Sequence, residues 1–140
     1  MAGRLKEFQS LLTLLPSWLL TAITLGVILW LTLASKPLGD EPPSLFPGAD
    51  KVAHGIMFGG LTWMMMLDNQ RKNEWKPVSV TFGIISALSS SAIGVIVEFA
   101  QLGMQNGRGF EYADMISDAI GAFLFMGIWL MFQKRWAREI

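Results

Sequence analysis

The sequence predicts an all-α fold: a polytopic membrane protein built as a bundle of four transmembrane helices. Three observations predict it. The chain is 52% hydrophobic and only 16% charged, where an ordinary soluble domain carries about a quarter charged residues. The charges are bunched, so four long uncharged runs separate short charged patches. Each run reaches, or nearly reaches, the roughly 20 apolar residues that carry a helix across about 30 Å of hydrocarbon.

The same composition excludes a disordered chain, a nucleic-acid binder and an ordinary soluble enzyme. Lys+Arg and Asp+Glu number 11 each, so net charge points to no partner. With no Cys, disulfides, Cys-ligated zinc, iron–sulfur clusters and thiol catalysis drop out.

The first uncharged run covers 8–35 and predicts a helix over 16–35, with Pro16 tolerated in its first turn. It is too long for the apolar region of a signal peptide, and Thr32-Leu33-Ala34 is a poor cleavage site, so the helix is retained. The second run, 52–67, contains His54 and predicts a helix over 51–67, with Lys51 snorkelling outward. The third opens at Pro77 and predicts a helix over 77–102. The fourth, 119–133, reaches spanning length only if it starts at Tyr112, which draws Asp114 and Asp118 into its first turns; the helix is expected over 112–132. Connections and tails make up the rest, so the chain reads as one membrane domain over 1–140.

Orientation follows from the basic residues. Arg4, Lys6, Arg71, Lys72, Lys76, Lys134, Arg135 and Arg138 fall on one side; Lys36, Lys51 and Arg108 fall on the other. Both termini and the 68–76 turn are therefore expected in the cytoplasm, in a bacterial cytoplasmic membrane. Trp18, Trp63, Trp75, Trp129 and Trp136 lie near that face, as interfacial anchors do. Asp68 and Glu74 read as part of a solvated inner turn. The loop over 36–50 is rich in proline and reads as stiff; 102–110 is rich in glycine and reads as adaptable.

Small residues recur at four-residue spacing: Gly55 and Gly59; Gly83, Ala87 and Ser91; Ala113, Ser117 and Gly121. In lipid such rows let helices approach closely. They read first as packing within one bundle, with a homodimer as the sharper alternative.

An ionisable side chain inside a span costs on the order of 3 kcal/mol, which makes each one a functional candidate. Here they converge. Asp50, Lys51 and His54 open the second helix. Glu98, Gln101 and Gln105 close the third, Arg108 follows in the turn, and Glu111, Asp114 and Asp118 open the fourth. The topology puts all ten at the outer end. Spacings of three and four place Asp50 with His54, Glu98 with Gln101, and Asp114 with Asp118 on single helix faces. Turning the three stripes inward lets them satisfy one another. Simpler readings stand beside this one: Asp50 as an N-cap, Lys51 as an interface marker, His54 as a hydrogen-bonded packing residue, Glu98 and Arg108 as an ion pair, Asp114 as a dipole-favoured first-turn carboxylate, and Glu111 as a solvated one.

The series Asp50-Lys51-x-x-His54, Glu98-x-x-Gln101, Arg108 and Asp114-x-x-x-Asp118-x-x-Gly121 resembles the VanZ-like family of small bacterial membrane proteins, over residues 50–127. The resemblance implies four or five helices and a role in the cell envelope; the family's namesake is associated with resistance to the glycopeptide teicoplanin. Two positions depart from the family pattern. Phe58 stands where Tyr is frequent, so no hydroxyl acts there, and Asp118 stands where Asn is frequent, which adds a potential charge.

The cluster therefore reads as a site that binds, and acts on, an anionic lipid-linked envelope component such as a polyprenyl phosphate. Arg108, Lys51 and Gln101 would hold the anion. His54 would act as general acid or base with Asp114 and Glu98, and Asp50 and Asp118 would support it. Membrane lipids are the expected partners. No cofactor is expected, and no metal: a set of His54, Glu98, Asp114 and Asp118 is weakened by a single His and no Cys. The alternatives are a scaffold stapled by its polar cluster, a partner-binding protein, or a proton-responsive or transport protein centred on His54.

Overall fold

The computed structural model describes residues 1–34, 46–104 and 110–138. Among them it contains five α-helices and no strand: α1 (Ala2–Thr13), α2 (Leu19–Leu33), α3 (Ala49–Lys72), α4 (Val80–Met104) and α5 (Tyr112–Arg138). The all-helical class is as expected. Two helices, α4 and α5, are long and apolar enough to cross a membrane. Only 33% and 22% of their most apolar stretches are buried, whereas the core helix of a soluble protein would be mostly covered. The 15 residues of α2 are apolar but span only about 22 Å. α3 is long enough, but charge at both its ends dilutes its hydropathy.

Several helix starts differ from expectation, for local reasons. Residues 2–13 form a separate helix, because Ala2-to-Thr13 is a good helix-forming stretch that Pro16 cannot extend. Pro16 therefore lies in the joint before α2, not in its first turn, and Trp18 at the N-cap adopts a left-handed φ of 64°. Pro77 likewise precedes α4. Asp50 is not the N-cap of α3: Gly48, with φ 82°, takes that place, and Asp50 sits in the first turn.

The basic-rich turn is not simply solvated. Asp68 and Arg71 are 1% and 7% exposed and pair with each other. Asp68 Oδ2 accepts from the backbone N–H and the hydroxyl of Thr21, both at 2.8 Å. It thereby caps α2, whose own N-cap supplies no side-chain bond. Arg71 donates to the carbonyls of Leu12 at 3.0 Å and Leu15 at 2.8 Å, satisfying the open end of α1. One ion pair on α3 thus completes the joint between two other helices.

The core has two parts. Ile28, Phe58, Leu61 and Val97 join α2, α3 and α4. Met66, Val78 and Trp129 join α3, α5 and the start of α4. Trp129 is 6% exposed and so packs inside the bundle rather than anchoring it at an interface, while the half-buried Trp63 donates its indole N–H to the Phe125 carbonyl. Gln133 closes the second core, its amide exchanging bonds of 2.8 and 2.9 Å with the backbone of Val78.

The small-residue rows of α3 and α5 face each other within the chain. A Cβ on Gly121 would run into the backbone carbonyl of Gly55, and one on Gly59 would lie 2.5 Å from the Phe125 ring. This crossing sets the register that brings His54, one residue before Gly55, against Asp118, three before Gly121.

Candidate functional site

The site lies where α3 and α5 begin and α4 ends. His54 stands one turn into α3, its side chain 12% exposed. Its Nδ1 is 3.0 Å from Asp118 Oδ1, a hydrogen bond in which an ionised carboxylate accepts from the ring N–H. Its Nε2 faces Asp114 Oδ2 at 3.8 Å, too far for a hydrogen bond. Phe58 stacks below, ring centroids 6.4 Å apart, and is fully buried. Carboxylates thus flank the imidazole on both nitrogens, over an apolar floor.

Glu98 reaches the same place from α4. It is 0% exposed. Its Oε2 accepts from the backbone N–H of Glu111 at 3.2 Å, while Oε1 has no hydrogen-bond partner among the described residues. Asp118, also 0% exposed, has its Oδ2 in the same condition. Room for that carboxylate comes from Gly94: a Cβ there would lie 2.5 Å from Asp118 Oδ2. Ligand-capable atoms of His54, Glu98 and Asp114 all fall within 4.8 Å of one another.

Lys51 sits above them. Its ammonium pairs with Asp114 at 2.9 Å, with Asp50 at 2.8 Å, and with Glu111. Three carboxylates thus surround the Lys51 ammonium.

The structure thus brings together His54, Glu98, Asp114 and Asp118, with Lys51 and Asp50 at the rim. Gln101 turns away: its amide donates to the Thr32 carbonyl of α2 at 2.6 Å, a bundle contact rather than an anion ligand. Arg108 and Gln105 lie outside the described residues. Glu111 is exposed, as the sequence suggests, and it also takes part in the site: its backbone N–H positions Glu98 and its side chain holds Lys51. Gly94 went unremarked as a space-maker; its spacing of four from Glu98 was the available signal.

A protein-family model described as VanZ/LLP1 matches residues 4–133, nearly the whole chain. The chain belongs to the VanZ/LLP1 family. No curated protein and no solved structure matches it. The VanZ/LLP1 match takes in all but the first two residues of α1 and all but the last residues of α5, so the site described above lies wholly inside the matched region. Together with two exposed apolar helices, VanZ/LLP1 membership supports a membrane protein.

Proposed function

We propose that this VanZ/LLP1 protein spans a bacterial cytoplasmic membrane with α2–α5, termini inside, and that its outer polar cluster binds and acts on an anionic lipid-linked envelope component. Two features support the membrane part. Large apolar side chains stand exposed along α4 (Ile85, Leu88, Ile96, Phe99) and α5 (Ile116, Ile120, Leu124, Met131), a surface suited to lipid and hazardous in water. Three of the four buried acids among the described residues, Glu98, Asp114 and Asp118, gather at one end.

The observation that carries the chemical part is His54 held by Asp118. A carboxylate on Nδ1 fixes the tautomer and leaves Nε2 free to give or take a proton, the arrangement that general acid–base catalysis needs. The Lys51 ammonium is already shared among three carboxylates, so on this reading Arg108 supplies the positive charge that an anionic headgroup requires. Phosphate-ester chemistry fits these residue types.

Lipids that co-purify with the wild type and with Arg108→Ala, His54→Ala and Asp114→Asn, identified by mass spectrometry, test the reading. An anionic lipid should accompany the wild type and fall at least about tenfold in Arg108→Ala. His54→Ala should keep the lipid and lose its turnover. Equal lipid content in all four proteins would sink the reading. A resistance role follows only by family resemblance, and the teicoplanin susceptibility of a bacterium carrying the gene tests it.

A further inference from the structure

The site is short of positive charge. His54, Glu98, Asp114 and Asp118 bring three carboxylates to one imidazole, and the nearest ammonium is shared among Asp114, Asp50 and Glu111. Glu98 Oε1, on a side chain that is 0% exposed, has no partner among the described residues. Buried carboxylate oxygens without donors are costly unless a proton or a cation meets them.

We infer that His54, Glu98 and Asp114 together ligate one divalent transition-metal ion, zinc or manganese, with Asp118 orienting the histidine. The geometry fits at each position. One donor atom from each residue lies within 4.8 Å of the others, as ligands at about 2.0–2.2 Å around one ion do. His54 Nε2 and Asp114 Oδ2 are 3.8 Å apart, too far to bond each other and close to the separation of two ligands on one ion. Asp118 on Nδ1 makes the carboxylate–histidine–metal arrangement that holds a ligating imidazole. Lys51 on Asp114 Oδ1 leaves the other oxygen for the ion. Nitrogen with carboxylate oxygens suits zinc and manganese.

The neighbouring acidic trio, Asp50, Glu111 and Asp114, is a poorer site because the Lys51 ammonium already sits among those carboxylates. Three protein ligands leave open positions on the ion. An ion on Nε2 replaces the proton transfer assigned to His54 above, so this inference keeps, and rests on, only the anionic-lipid part of the proposed function: the headgroup would take one of these positions and meet a positive charge. The metal site itself does not require that reading.

The test uses the full chain in detergent, carrying no histidine tag and stripped with chelator, titrated with zinc or manganese alone. One equivalent should bind, with a dissociation constant below about 10 µM. Glu98→Gln, Asp114→Asn and His54→Ala should each weaken binding at least about tenfold, and Asp118→Asn about 10–100-fold. Glu74→Gln, at the far end, should not change it. Because a variant can fail to fold, wild-type protein loaded with manganese is also measured by pulsed electron paramagnetic resonance. His54 is the single histidine, so one imidazole nitrogen should couple to the ion. No saturable binding, bound manganese without nitrogen coupling, or binding lost in Glu111→Gln but kept in Glu98→Gln would each overturn the inference. Metal binding without a co-purifying lipid would leave the site standing and remove the lipid reading.

Discussion

Gly94 and Gly121 show how a single missing side chain shapes the site. At Gly94 a methyl group would lie 2.5 Å from a carboxylate oxygen of Asp118, itself fully buried. Gly94→Ala should therefore cost about 1–3 kcal/mol and turn Asp118 off His54. Thermal unfolding in detergent, with the histidine resonance followed by NMR, checks both. At Gly121 the obstacle is the Gly55 backbone carbonyl, which cannot rotate aside, so Gly121→Ala should cost about 3 kcal/mol, the top of the overpacking range. Gly60 and Gly127 have nothing within 4 Å of a built Cβ. Alanine there should be neutral or stabilise by about 0.5–1 kcal/mol through helix propensity. The same melting experiment separates the two pairs, and equal melting temperatures would contradict the close crossing.

Among elements, α3 ties the others together. Its Asp68–Arg71 pair completes α1 and α2 while both side chains remain buried. Removing one partner strands a buried charge, so Asp68→Ala should cost about 3–5 kcal/mol, while Asp68→Ala with Arg71→Ala should cost less than the two single losses added together. A double-mutant cycle on thermal stability, with limited proteolysis at the joint, measures this. The pair also marks where sequence reading stopped. Apolar runs locate α2 through α5 because burial in lipid or core demands uninterrupted apolar stretches. A polar pair three apart at a helix end looks the same whether water or two helix termini surround it, and only the fold tells them apart. The starts of α2 and α4 differ from expectation for a related reason, since Pro16 and Pro77 are permitted in a first turn or just before one, whereas α5 starts at Tyr112 as expected. The candidate cluster was more legible. Each ionisable residue is expensive in lipid, so His54, Glu98, Asp114 and Asp118 advertise their convergence by spacing alone. Gln101 carries the same spacing and turns to α2, because an uncharged amide is served as well by a carbonyl as by a cluster.

Over the whole molecule, apolar surface flanks a bundle whose acids lie mainly at one end, and the proposed orientation follows from its basic residues. The chain has no Cys, so single cysteines report sidedness without background. Gly3→Cys and Asn73→Cys should react with an impermeant maleimide only in inverted vesicles, and Phe46→Cys only in right-side-out ones. Labelling of Asn73 and Phe46 from the same side would overturn the four-span arrangement.

The contact between Thr21 and Asp68, 47 residues apart, also has a consequence for biogenesis. In the four-span arrangement proposed above, α2 would meet the membrane before the residue that caps it has been synthesised. Its first N–H groups would then wait at the watery boundary until α3 follows. The proposed arrangement therefore expects these two helices to enter the bilayer as a hairpin rather than one by one.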